Sequence, residues 1–121
     1  MTNEKKTERL VYEHFERYNN LIIIEEQASD IAKIDKLLKN ASKKGIGKGR
    51  PEFIISFLHH PDLLVVIECK AEVNKHESSN KDKYADFAVD GALLYASFLS
   101  REFDVIAIAV SGEERQTLKV S

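Results

Sequence analysis

The chain has 121 residues, 43% hydrophobic and 31% charged, which gives an ordinary globular composition with one buried core and no room for a methyltransferase or helicase as well. No apolar run approaches the roughly 20 residues that cross a bilayer, and the N-terminus MTNEKKTERL is too charged for a signal peptide or anchor, so a cytoplasmic location is expected. A net charge of -2 speaks against a uniformly basic nucleic-acid-binding surface, and the single cysteine, Cys69, excludes an internal disulfide.

Residues 3–19 read as a helix, because Leu10, Val11, His14, Phe15 and Tyr18 recur at helical spacing, with Thr2 or Asn3 as its N-cap. The run Leu21, Ile22, Ile23, Ile24 makes residues 21–26 a short strand. Residues 31–41 form a second, short helix with Ile34, Leu37 and Leu38 inward, ended by Gly45, Gly47 and Gly49. That glycine run lacks the Lys-Ser/Thr of a phosphate loop and precedes a strand, so it reads as a flexible loop. From Lys36 to Arg50 every charged residue is basic (Lys36, Lys39, Lys43, Lys44, Lys48, Arg50), which suits an arm that contacts phosphates.

Residues 53–58 and 63–69 are strands apolar on both faces, so helices must cover them on either side. The turn-like His59-His60-Pro61-Asp62 joins them as a hairpin. A helix over residues 80–100 carries Tyr84, Phe87, Leu94, Tyr95, Phe98 and Leu99, and residues 105–110 form a last buried strand before Gly112. Residues 116–120 begin another strand in which the sequence stops, so a single domain cut from a longer protein is expected. Helix, three strands, helix, strand is the order of an α/β fold with a mixed central sheet flanked by helices on both faces.

Chemistry concentrates in Pro51-Glu52 and Glu68-Cys69-Lys70. Glu68 and Lys70 are two apart at a strand end and share a face, while Cys69 points to the other and reads as a buried structural thiol. Glu52 and Glu68 are equidistant from His60, so a hairpin folded near that residue sets Glu52 across from Glu68 or Lys70, roughly 5 Å away between Cβ atoms. Two carboxylates and a lysine at one spot suit a divalent ion bound through acidic oxygens, with an amine beside the attacking water.

These residues resemble the signature of the PD-(D/E)xK nuclease superfamily, with Glu52 where Asp is commoner. The segments KNASKKGIGKGRPEFII, VVIECKAE and YADFAVDGALLYASFLSREFDVIAIAVSGEE look like the N-terminal nuclease region of restriction-modification proteins fused to an N6-adenine DNA methyltransferase. The resemblance implies a restriction-endonuclease-like fold with an αβββαβ core and a magnesium-dependent endodeoxyribonuclease acting on double-stranded DNA, manganese being able to substitute. It implies metal ligands Glu52, Glu68 and the backbone carbonyl of Cys69, with Lys70 activating water or offsetting charge on the phosphorane. A further acid is expected from the first helix, where Glu8 lies at the edge of the apolar stripe and Glu13 and Glu16 do not. Lys43, Lys44, Lys48 and Arg50 are the expected phosphate contacts, and methyltransferase and specificity domains would complete the full-length chain, with a homodimer as one possible assembly. Some relatives carry a Gln four residues ahead of a Tyr on the helix after the lysine; here Gly91 precedes Tyr95 and that motif is absent. The other readings are a catalytically silent DNA-binding or assembly module of the same fold and a repair or junction-resolving nuclease.

Overall fold

A computed structural model describes residues 4–121. The N-cap expected at Thr2 or Asn3 lies outside the described residues. Helix α1 (Glu4–Glu16) buries Thr7 and Val11 and packs Phe15 against the core, three residues at i, i+4 spacing on one face. It ends short of residue 19: the N–H groups of Tyr18 and Asn19 turn back onto the carbonyls of Phe15 and Glu16, and His14 and Tyr18 are left exposed. Strand β1 (Ile22–Glu25) follows, then α2 (Ala32–Leu37), β2 (Phe53–Phe57) and β3 (His60–Lys70). After a 3-10 turn at Val73–Lys75 come α3 (Ala88–Leu99), β4 (Asp104–Ser111), a second 3-10 turn and β5 (Lys119–Val120).

The five strands lie in sequence order in one mixed sheet, antiparallel except for the β3–β4 pair, which α3 connects. Apolar side chains alternate along β2 and β3 into two cores. Phe53, Ile55, Val65, Ile67 and Cys69 meet Val11 of α1 on one face. Ile54, Leu64 and Val66 meet Ile34, Leu38, Tyr95 and Leu99 on the other. Helices therefore cover both faces, as strands apolar on both sides require. Ile54 and Ile67 are wholly inaccessible, and each such side chain contributes about 1.5–3 kcal/mol through removal from water.

Two further boundaries differ from the sequence reading for identifiable reasons. The hairpin turns at Leu58 and His59 rather than over residues 59–62, because Phe57 pairs with His60. The next pair is Ser56 with Leu64, so Pro61, Asp62 and Leu63 bulge from the β2 side of β3. Pro61 lacks an N–H and is tolerated there because the bulge asks for none. The other difference is α3, which begins at Ala88 instead of near residue 80. Asp90, fully buried in its first turn, accepts hydrogen bonds from the backbone N–H groups of Ser78 and Lys83 and from the Ser78 hydroxyl, and so holds residues 78–83 as a loop. Among the described residues no helix is long and apolar enough to cross a membrane.

Candidate active site

The register set by the apolar runs carries the hairpin symmetry through to its open end. Phe53 pairs with Ile67, which brings Glu52, in the bend ahead of β2, opposite Glu68. The backbone N–H of Glu52 donates to Oε1 of Glu68 at 3.0 Å. Glu68 is fully buried on the face covered by α3, and Cys69 alternates into the opposite core, where burial pushes its thiol far up. A thiol so placed is inert, as the alternation predicts.

The acids that meet Glu52 come from the helix on the other face. Glu4, Glu8 and Glu52 bring carboxylate oxygens within 4.8 Å of one another. Thr7, fully buried between the two helical acids, donates to the carbonyl of Gly112 and seats the start of α1 against the end of β4. The carboxylates thus wrap around the C-terminal end of β3 instead of sharing one sheet face: Glu68 from the α3 side, Glu4 and Glu8 from the α1 side, and Glu52 between them. Lys70 completes this end. Its ammonium donates to the carbonyl of Ala85 at 2.8 Å and stands 3.8 Å from Glu4.

Electrostatics reflect the crowding. The Glu52 carboxyl is pushed up to about 8, first by burial and then by the charge of Glu68, with Glu4 and Glu8 adding to it. Glu8 is raised by burial, opposed by Lys5 and reinforced by Glu4 and Glu26. Burial raises Glu68 as well, against the pull of Lys43, the Glu52 N–H and Lys70. Glu4, Glu8 and Glu52, with one carboxylate oxygen each inside a 4.8 Å group, form a donor set suited to a hard divalent ion.

Glu4 is a residue of the site beyond the sequence expectations, and Lys43, expected as a phosphate contact, stands beside Glu68 instead. Glu4 carried a usable signal, since it precedes Glu8 by one helical turn and shares its face. Lys43 did not. It belongs to the basic stretch read as phosphate-contacting, but its ammonium is ion-paired with Oε2 of Glu68, 25 positions away, and sits over the Tyr95 ring at 5.7 Å. Burial pushes the Lys43 pKa down, Glu68 outweighs it, and the net shift is upward, so the side chain is a firm cation. Of the other basic residues, Lys48 pairs with Asp35, while Lys44 and Arg50 are exposed.

The loop that carries them is anchored at its base. Gly49 donates to the Leu38 carbonyl at 2.7 Å, and a Cβ there would meet Ala41 and Tyr95 at 2.8 Å, so only glycine fits. The Arg50 N–H donates to the Tyr95 hydroxyl at 3.3 Å. Gly91 is also a close approach, though a milder one: a Cβ there would stand 3.0 Å from the Tyr84 carbonyl, 3.2 Å from Cε of Lys43 and 3.3 Å from Oε2 of Glu68, so a side chain at 91 would crowd the Tyr84 backbone and the ion pair together. No protein-family profile, curated protein or solved structure matches the chain.

Proposed function

We propose that this chain is the nuclease domain of a restriction-modification enzyme, a restriction-endonuclease-like fold that hydrolyses phosphodiester bonds of double-stranded DNA with magnesium or manganese. The observation that carries the reading is the grouping of the Glu4, Glu8 and Glu52 carboxylates beside the Lys70 ammonium at one end of β3, with Glu68 joined to it through the Glu52 N–H. The element order also supports it, since α1, β1, β2, β3, α3 and β4 follow the αβββαβ order once α2 is set aside. Methyltransferase and specificity domains would lie elsewhere in a longer, cytoplasmic protein.

Glu52 and Glu68 would hold the ion, with the Cys69 carbonyl as the resemblance implies and Glu8 as the helix acid. A divalent ion bound there supplies Lewis-acid polarisation of the phosphate and a more acidic water. Glu4 and Ala85 position the Lys70 ammonium, which orients the attacking water or offsets charge on the phosphorane. Lys44 and Arg50, exposed on the basic loop, would bind flanking phosphates without reading sequence.

The silent DNA-binding module is the second reading, favoured by one observation: Glu68 already has a lysine counter-ion. Cleavage of supercoiled plasmid by the full-length protein with magnesium, beside calorimetric titration of manganese into this domain, separates the two. Manganese binding that Glu52→Gln abolishes, together with nicking or linearisation, supports the nuclease. DNA binding with neither metal uptake nor cleavage leaves the silent module.

A further inference from the structure

We propose that Lys43 is an internal cation that occupies Glu68 until a divalent ion arrives, then exchanges onto a DNA phosphate, so that metal loading and DNA binding are coupled through one side chain. This rests on the nuclease reading and adds a regulation to its site.

Glu68 has no access to solvent, and both of its oxygens are engaged: Oε1 by the Glu52 N–H and Oε2 by the Lys43 ammonium. A buried carboxylate without a cation would be costly, and Lys43 meets that need when metal is absent. A divalent ion on the same carboxylate would stand only a few ångströms from the ammonium, and like charges at that range repel strongly away from bulk water. The two cations therefore compete for Glu68. Lys43 is able to leave, because its side chain is 18% exposed and sits on a four-carbon stem at the margin of the basic loop. The loop's tip, with Gly45 and Gly47 at positive φ, exposes Lys44 and Ile46 beside it. An ammonium released there joins the cations best placed to meet a phosphate chain. DNA gives the freed lysine a partner, so DNA must raise metal affinity and metal must raise DNA affinity by the same factor.

The test is manganese titration of this domain, followed by electron paramagnetic resonance, for the wild type, Lys43→Met, Lys43→Arg and Glu52→Gln, each first shown to melt cooperatively. Lys43→Met keeps the stem and removes the competitor, so it must bind manganese about tenfold more tightly than the wild type. A short duplex must tighten manganese binding by the wild type more than by Lys43→Met, in which only the direct contact of ion and phosphate is left to couple the two, and equal tightening overturns the exchange. Equal or weaker binding by Lys43→Met, with binding by the wild type that Glu52→Gln abolishes, overturns the exchange and leaves the metal reading standing. If Lys43→Met does not fold, Lys43→Arg decides: its planar fork holds a carboxylate in two bonds, so it must bind manganese more weakly than the wild type, and equal binding overturns the proposal. No manganese uptake by the wild type overturns the metal reading and this inference with it.

Discussion

The Glu52 N–H bond to the Glu68 carboxylate, 3.0 Å long, ties strand register to the charge state of the site. The Glu52 carboxyl is raised from 4.5 to about 8. Between those values the folded chain retains a proton there that the unfolded chain has released, so without metal the domain loses stability as pH rises through that window. Magnesium competes with that proton, and its stabilising shift in melting temperature must grow over the same range. Melting curves across the window, with and without magnesium, check both signs. A magnesium response that ignores pH would remove Glu52 from the ion site.

Lys70→Ala removes the ammonium held between Ala85 and Glu4 without opening the core, since that side chain is partly exposed. Cleavage by the full-length protein falls about a hundredfold or more, in the range of a lost proton-transfer group. Melting temperature and any methylation activity stay near wild type. Unchanged cleavage would make Lys70 a surface lysine with no part in the reaction.

Lys43→Met strands the fully buried Glu68 carboxylate and costs about 3 kcal/mol, whereas Glu68→Gln costs less, because the part-exposed Lys43 ammonium can turn out to solvent. The two together cost less than their sum, because the carboxylate that Lys43→Met strands is gone. Urea denaturation of the four proteins at neutral pH measures the coupling. Additive losses would mean that the two side chains do not depend on one another.

Asp90→Ala removes the acceptor for three donors in the loop ahead of α3 and costs about 2 kcal/mol, since buried N–H groups are left unpaired. Burial pushes the Asp90 carboxyl up, but hydrogen bonds from Ser78 and Lys83 outweigh it and hold it below its ordinary 3.8. That stability is present above the unfolded value and is lost as pH falls through the folded one. The wild type therefore weakens in acid by an increment that Asp90→Ala lacks, which acid denaturation profiles of the two proteins will show.

Much of this arrangement is legible in the sequence. Uninterrupted apolar runs require a two-sided sheet, and the equal spacing of Glu52 and Glu68 about His60 gives the register of the pairs from Phe53–Ile67 to Ser56–Leu64. The turn is not legible, because the bulge of Pro61 to Leu63 preserves that register while moving the bend to Leu58 and His59. Nor is the start of α3: the polar stretch before Ala88 satisfies its backbone through Asp90, a contact made only once the helix is in place. The basic loop shows the same limit. Composition marks Lys43 as one cation among six, and only tertiary packing over Tyr95 sets it on Glu68.

The bulge at Pro61 to Leu63 makes the hairpin tip a spacer whose length is independent of the chemistry below it. Shortening or lengthening the tip changes how far the hairpin projects and leaves Glu52 facing Glu68, whereas losing a single residue between Leu64 and Ile67 would turn Glu68 toward α1. A reporter or tether grafted at Leu58 and His59 would thus extend the molecule from its far edge without shifting the carboxylates, a ready attachment point for fixing the domain to a surface or to a partner chain.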